Sequence, residues 1–244
     1  MKIIRELLTF KDVDTKLDYH DSLNTDLWDG FELKPIVKDA LDKIADKFKD
    51  YLDTDLFPVI DIIVTGSNCN YNWTPLSDID LHLVVDTSNL KDCPVTDEFL
   101  IAKKSMWNSG HDIKIKGYTV ELYVQDMDDK LAATGIYSLM NDKWVVRPEF
   151  KKLDIDNFSV QTKAADIMNQ IDDIITNRID DLDVINAIKD KIRNMRQNGL
   201  MLGGEFSVEN LTFKALRNNG YFDKMNNYQK DLIDKNLSLE SIKK

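Results

Sequence analysis

The chain has 244 residues, which is enough for one or two domains with a sizeable core. Its 43 acidic and 32 basic residues leave a net charge of −11, which argues against an extended footprint on nucleic acid. Two cysteines, Cys69 and Cys93, are too few for a disulfide framework or a zinc quartet. The sequence shows neither a signal-peptide pattern nor a membrane-spanning apolar run, so we expect a cytoplasmic protein without membrane contact.

The first clear elements are a helix and two strands. Pro35 suits the first position of a helix, and apolar residues recur at helical spacing from there to Tyr51. Apolar runs then predict one strand over 58–64 and a second over 79–85. The segment before residue 31 mixes charged and apolar residues and carries no clear pattern.

The middle of the chain continues the mixed pattern. Thr96 is a candidate N-cap for a helix over 97–107. A strand over 117–125 could pair with a short strand over 113–116, and a hairpin is predicted around Asn141-Asp142.

Strand patterns stop after about residue 150. Helices are predicted over 160–178, 184–198, 208–219 and 228–235. Gly199 suits the position after the second helix, and Ser207 suits the N-cap of the third. The sequence therefore predicts an α+β chain, with a mixed β-sheet flanked by helices in a domain over 1–150 and a helical domain over 151–244.

Polar residues stand at the facing ends of the first two strands. The first strand runs into Gly66-Ser67, and the second is preceded by Ser77-Asp78 and carries Asp80. Side chains two apart on a strand share a face, so Asp78 and Asp80 are expected to point together, close to a turn rich in backbone N–H groups. Carboxylates are hard ligands for Mg²⁺, whereas backbone amides and a hydroxyl suit phosphate.

A third carboxylate lies on the strand over 117–125. Val120, Leu122 and Val124 alternate there with polar residues, so Glu121 is expected to face away from the apolar side of the strand.

The combined spacing of Gly66-Ser67, Ser77-Asp78-Ile79-Asp80 and Glu121 resembles the signature of the DNA polymerase β-like nucleotidyltransferase superfamily. Its members include kanamycin nucleotidyltransferases, CCA-adding enzymes, and oligoadenylate and cyclic-nucleotide synthases. The resemblance covers residues 35–125. The Gly-Ser segment is also similar to uncharacterised nucleotidyltransferase-like proteins encoded by bacteriophages, although its loop 68–75 is rich in Asn and aromatic residues where many superfamily members have Arg or Gly.

This resemblance implies the transfer of a nucleoside monophosphate from an NTP to an acceptor hydroxyl, with release of pyrophosphate. It implies two Mg²⁺ or Mn²⁺ ions held by Asp78, Asp80 and Glu121. In that scheme the two aspartates bridge both ions, and Glu121 binds the ion that activates the acceptor and can take its proton. The similarity to phage-encoded proteins implies that the reaction takes place in the cytoplasm of an infected bacterium.

The serines and the glycine of the motif have expected roles toward the triphosphate. Gly66 permits close backbone approach, and Ser67 offers a hydroxyl to the β- and γ-phosphates. Ser77 either caps the turn that leads into the second strand or contacts phosphate.

Several neighbouring side chains leave two interpretations open. His82 shares the face of Asp80 and is more often a structural residue than a catalytic one. Tyr123 shares the face of Glu121, as does Gln125, and packing is the favoured role of the tyrosine. The loop aromatics Tyr71 and Trp73 could stack on a base or pin the loop.

A basic edge is predicted on the second C-terminal helix. Lys189, Arg193 and Arg196 share one side of that helix, and the two arginines are candidates to bind the nucleotide. The same face could equally be solvated and salt-bridged. The segment 203–211, which begins Gly-Gly, is either a functional loop or a connection between helices.

The residues leave three classes of function open. The first is the nucleotidyltransferase, with a small molecule or protein hydroxyl as the preferred acceptor, another nucleotide second, and a tRNA end third because the chain lacks an excess of Lys and Arg. An oligonucleotide or cyclic-nucleotide synthase is its rival among enzymes. The second class is a catalytically idle module that binds nucleotide or a partner, and the third is an inhibitor of a host enzyme.

Overall fold

A computed structural model describes most of the chain, namely residues 7–15, 17–53, 57–90, 95–129, 131, 133–151 and 155–238. These residues form two compact units, one over Asp18–Lys151 and one that joins the described residues up to Leu17 to those after Lys152. The N-terminal segment thus groups with the helices of the second unit. The predicted boundary had included it in the first domain. Cys93 lies outside the described residues.

The first unit is built on a mixed six-stranded sheet. Its strands, in the order β5-β6-β4-β3-β7-β8, are β3 (Val59–Thr65), β4 (Ile79–Val85), β5 (Lys114–Ile115), β6 (Tyr118–Asp126), β7 (Ile136–Ser138) and β8 (Lys143–Val146). Strands β4 and β6 run parallel, whereas the other neighbouring strands run antiparallel. A separate antiparallel pair is formed by β1 (Trp28–Asp29) and β2 (Glu32–Leu33). The α+β class and the mixed sheet are therefore confirmed.

The alternation of side chains gives the sheet one apolar and one polar side. Ile79, Leu81, Leu83 and Val85 of β4 are buried in the hydrophobic core, as are Val120 and Leu122 of β6. The residues between them point to the opposite side of the sheet because successive strand side chains alternate. We call that side the polar face, and it carries Asp80, His82, Glu121, Tyr123 and Gln125.

Two α-helices accompany the sheet in the described part of the first unit. Helix α1 (Pro35–Leu52) begins with proline as predicted, and it buries Val37, Leu41, Ala45, Phe48 and Leu52 at helical spacing. Helix α2 (Thr96–Gly110) follows β4.

The predicted capping of α2 is wrong. Val95 occupies the N-cap without a side-chain cap bond, and Thr96 is already inside the helix. The Thr96 hydroxyl instead donates to the Leu90 carbonyl oxygen at 3.4 Å. The helix also continues to Gly110, beyond the predicted end at residue 107.

The second unit consists mainly of four helices, α3 (Asn157–Thr176), α4 (Leu182–Gly203), α5 (Val208–Asn218) and α6 (Tyr221–Leu237). Ser207 caps α5 as predicted, since its side chain accepts from the Asn210 N–H. The prediction that Gly199 follows the end of α4 is wrong. The helix runs on to Gly203, and a Cβ at residue 199 would lie 2.5 Å from Glu209 Cβ, so the glycine allows close packing against α5. Helix α6 begins at Tyr221, earlier than the predicted Tyr228. None of the described helices is long and apolar enough to cross a membrane.

Candidate active site

Two carboxylates stand side by side on the polar face. The parallel pairing of β4 with β6 places Asp80 directly opposite Glu121. Both side chains are half-buried. The two residues are distant in the sequence, and the register of the parallel pair is what brings them together.

The third predicted carboxylate, Asp78, is the last residue before β4 and lies two positions before Asp80. Burial, then the charge of Asp80, the hydrogen bond and charge of Glu121 and the charge of Asp78, together raise the pKa of Tyr123 far above its ordinary value. The negative charges of all three predicted acids therefore disfavour the ionised form of Tyr123.

The Gly-Ser turn meets the carboxylates at the end of β3. Thr65 pairs with Asp80 across the antiparallel β3–β4 ladder, and Gly66 follows with φ +82°. A Cβ at residue 66 would lie 2.0 Å from Asp80 Oδ2. Glycine is therefore required both for the backbone conformation and for the close approach of the turn to the carboxylate.

The Asn-rich loop after this turn folds inward. Asn68, Asn70 and Asn72 are all buried. The Asn68 side-chain amide donates to the Asp78 carbonyl oxygen at 2.9 Å, and its own side-chain oxygen accepts from Asn24 Nδ2 at 2.8 Å. The loop thus positions the start of β4 through buried hydrogen bonds, a role that the sequence analysis did not assign to these asparagines.

The two serines of the motif contact each other. Ser67 Oγ donates to Ser77 Oγ at 2.9 Å, and the Thr74 N–H donates to the same Ser77 oxygen at 2.9 Å. Ser77 is buried and closes the turn that leads into β4, which corresponds to the first of its two expected roles. Contacts of Ser67 with phosphate stay a prediction.

The aromatic residues of the loop pack against other residues of the first unit. Trp73 stacks on His20 with ring centroids 3.7 Å apart, and its Nε1 donates to the Ser22 carbonyl oxygen at 3.1 Å. Tyr71 packs edge-on against Phe150. These contacts favour the interpretation in which both aromatics pin the loop.

Tyr123 contacts Glu121 and is itself contacted by His82 and Lys104. Tyr123 donates its hydroxyl proton to Glu121 Oε2 at 2.6 Å. The Tyr123 ring stacks on His82 with centroids 4.6 Å apart, and Lys104 Nζ lies 4.2 Å from the Tyr123 ring centroid.

The contacts of His82 favour the structural interpretation of this residue. Burial lowers its pKa to about 4, and the hydrogen bond to Gln125, 3.1 Å long, only partly opposes that effect. The buried imidazole packs on Tyr123, next to Asp80 and Glu121 on the same face of the sheet.

Helix α2 contributes two residues to this region that the sequence analysis missed. The Asn108 side chain both donates to the Leu122 carbonyl oxygen and accepts from the Leu122 N–H, each at 3.0 Å, and so caps the outer edge of β6. Lys104 lies one turn earlier. Lys104 and Asn108 lie on the same face of α2 as the buried Leu100 and Trp107. Polar residues on the apolar face of a helix are a pattern that could have identified them from the sequence.

The residues on the polar face fit a metal ion that arrives with phosphate ligands. Across the described residues, no three or more His, Cys, Asp or Glu side chains form a group that could hold a metal ion by itself. Mg²⁺ in nucleotide sites is usually held by one or two carboxylates together with substrate phosphates. Asp80 and Glu121, which lie opposite each other on β4 and β6, are two carboxylates of that kind.

The predicted basic edge lies in the second unit, on α4, and its cations have contacts there. Lys189 donates to Asn226 at 2.7 Å, and Arg193 pairs with Asp190 at 3.0 Å. The Arg196 guanidinium lies 4.1 Å from the Phe213 ring centroid. A role of Arg193 and Arg196 in binding nucleotide stays a prediction.

Comparison of the chain with protein-family models, with curated proteins and with solved structures finds no match. The assignment of a function therefore depends on the residues and the geometry of the first unit.

Proposed function

We propose that the chain is a Mg²⁺-dependent nucleotidyltransferase that moves a nucleoside monophosphate from an NTP to an acceptor hydroxyl. The observation that carries this proposal is the register of β4 and β6, which sets Asp80 beside Glu121 at the place where Gly66 brings the Gly-Ser turn against Asp80. Carboxylates and a phosphate-binding turn in contact are what the transfer of a phosphoryl group from a triphosphate requires.

The fold supports the same proposal. The antiparallel pair β3–β4 is joined by the Gly-Ser loop, and β6 then lies parallel to β4 with the third acid in register. We assign this arrangement to the nucleotidyltransferase type on the strength of the motif positions within it.

Each residue of the site has a role in the proposed reaction. Asp78, Asp80 and Glu121 would hold two Mg²⁺ ions together with oxygens of the bound triphosphate. When bound, the ions would reduce charge repulsion at the phosphate and favour ionisation of the acceptor hydroxyl. In the proposed reaction Glu121 would accept the proton of that hydroxyl. The backbone of Gly66 and the hydroxyl of Ser67 would orient the β- and γ-phosphates.

The net charge of the chain is the basis for the acceptor that we propose. With a net charge of −11, a small molecule or a protein hydroxyl is a better acceptor than a tRNA end, because an RNA substrate needs a basic footprint. The similarity of the motif to phage-encoded proteins suggests that the acceptor is to be sought in a bacterial host.

The test is label transfer from each α-labelled NTP, with Mg²⁺ or Mn²⁺, in the presence and absence of bacterial extract. The D78N/D80N double variant removes two ligand charges while it preserves side-chain shape. The D112N variant is the control, because Asp112 is exposed in the same unit and pairs with Lys114 on the surface.

Transfer of label by the wild-type protein and D112N, with loss in D78N/D80N, would support the proposal and reveal the acceptor class. Labelled products that resist phosphatase would instead indicate an oligonucleotide or cyclic-nucleotide synthase. Tight NTP binding without transfer would favour the idle nucleotide-binding module, and the absence of both would refute the proposal.

A further inference from the structure

One oxygen of the third carboxylate is already engaged by a neighbouring side chain. Tyr123 and Glu121 lie two residues apart on β6, so their side chains share the polar face. The 2.6 Å hydrogen bond from the Tyr123 hydroxyl reaches Glu121 Oε2. This bond uses one acceptor site of Oε2 and leaves the remaining lone pairs of the carboxylate for a ligand.

The Tyr123 ring is itself held by two other elements of the unit. His82 of β4 stacks on the ring at an interplanar angle of 18°, and Lys104 of α2 lies over the ring. Gln125 in turn holds the His82 ring through Nδ1. The phenol therefore has little freedom to rotate away from Glu121.

A fixed phenol has a direct consequence for the carboxylate. A glutamate side chain has several rotatable bonds, and it loses that freedom when it binds an ion. A hydrogen bond that already selects one orientation reduces the loss, which is how residues around metal ligands raise affinity.

We propose that Tyr123 is a positioning residue for Glu121, and that His82 and Lys104 act by holding the Tyr123 ring. This inference rests on the proposed function, because it requires Glu121 to bind a divalent ion that arrives with a triphosphate. It goes further by assigning the orientation of Glu121 to a residue outside the carboxylate set.

The test removes a single hydroxyl group. The Y123F variant keeps the ring and its contacts with His82 and Lys104 but loses the bond to Glu121. The matched control is Y137F, because the Tyr137 hydroxyl donates to Asp142 Oδ1 at 2.7 Å in the same unit. Both variants thus remove one tyrosine-to-carboxylate hydrogen bond.

Two quantities are measured on the whole protein. The first is the affinity for Mn²⁺ with inorganic tripolyphosphate, followed by electron paramagnetic resonance of the bound ion. The second is the Mg²⁺ concentration that half-saturates label transfer. We expect Y123F to weaken both by about 10- to 100-fold, a range usual for residues that orient metal ligands, while Y137F leaves both unchanged.

A double-variant comparison shows whether Tyr123 acts through Glu121. In an E121Q background, Y123F should change Mn²⁺ binding no further, since the group that it orients is already lost. An equal further loss in that background, or equal losses in Y123F and Y137F, would overturn the proposal. So would a Y123F protein that matches the wild type.

Failure of this inference is distinguishable from failure of the proposed function. Wild-type transfer of label with an unaffected Y123F variant would refute the role of Tyr123 alone. Wild-type Mn²⁺ binding that is weakened by Y123F, without any transfer, would refute the transferase but support the role of Tyr123. A wild-type protein that neither binds Mn²⁺ with tripolyphosphate nor transfers label would overturn both.

Discussion

Gly66 lies against Asp80 where the end of β3 meets the beginning of β4. The glycine has φ +82° and ψ −166°, and a Cβ on it would stand 2.0 Å from Asp80 Oδ2. A side chain at residue 66 would therefore overlap the Asp80 carboxylate, and glycine avoids this overlap.

The G66A variant should lose both stability and label transfer. The backbone strain alone is expected to cost about 1–3 kcal/mol in the free energy of unfolding, and Asp80 must also move to make room. Urea denaturation and the label-transfer assay measure the two effects. The control is G30A, since Gly30 has φ +58° but nothing within 4 Å of its Cβ position. Equal transfer by G66A and G30A would contradict the proposed contact between turn and carboxylate.

The N68D variant should be among the most destabilising isosteric changes in the first unit. Asn68 is fully buried, and its amide donates to the Ser77 and Asp78 carbonyl oxygens. An aspartate would set a buried anion against those oxygens, at a cost of about 3 kcal/mol or more in the free energy of unfolding. Urea denaturation at neutral pH provides the measurement, with N194D on the exposed side of α4 as the control. Similar stability of the two variants would show that the loop does not depend on Asn68.

His82 should make the free energy of unfolding dependent on pH. Burial lowers its pKa from 6.5 to about 4, so the unfolded chain binds a proton that the folded protein does not bind between these values. The free energy of unfolding is therefore unaffected by His82 above pH 6.5. It falls by up to about 3 kcal/mol as the pH is lowered toward 4, because protonation of His82 favours the unfolded chain.

The H82F variant tests this pH dependence, because phenylalanine can stack on Tyr123 but cannot be protonated. Denaturation in EDTA between pH 7 and pH 4.5 should show the wild-type protein losing stability relative to H82F. The H111F variant, which removes an exposed imidazole, serves as the control. Parallel curves for the wild type and H82F would contradict the prediction.

Cys69 should resist thiol reagents while the protein is folded. The side chain is fully buried, and burial together with the charge of Asp80 raises its pKa well above the ordinary value. Only the thiolate reacts, and it must first be exposed by opening of the core. In a C93S background, native Cys69 should react with a disulfide reagent about a thousandfold or more slowly than it does in guanidinium chloride. Rapid reaction in native buffer would show that the loop opens readily.

Local patterns were sufficient for many elements of the fold. The strand over 79–85, the hairpin around Asn141-Asp142 and the Ser207 cap of α5 were all predicted correctly. Each depends on neighbouring residues, through alternation, turn chemistry or a capping side chain, and such signals are visible in the sequence.

Where predictions failed, the residue made a contact outside its own helix. Gly199 has the chemistry of a helix end, yet α4 continues through it because the glycine packs against Glu209 of α5. The Thr96 hydroxyl bonds back to Leu90 and so does not cap α2. Neither partner can be read from local pattern.

The sequence by itself determined which carboxylates share the polar face, because alternation along a strand is a local property. It determined neither the register that sets Asp80 beside Glu121 nor the contacts of Lys104 and Asn108 with β6. Those depend on how α2 and the parallel strands pack, and packing energy is summed over residues far apart in the chain. The candidate site was thus predictable in its composition, whereas only the tertiary structure decided its geometry.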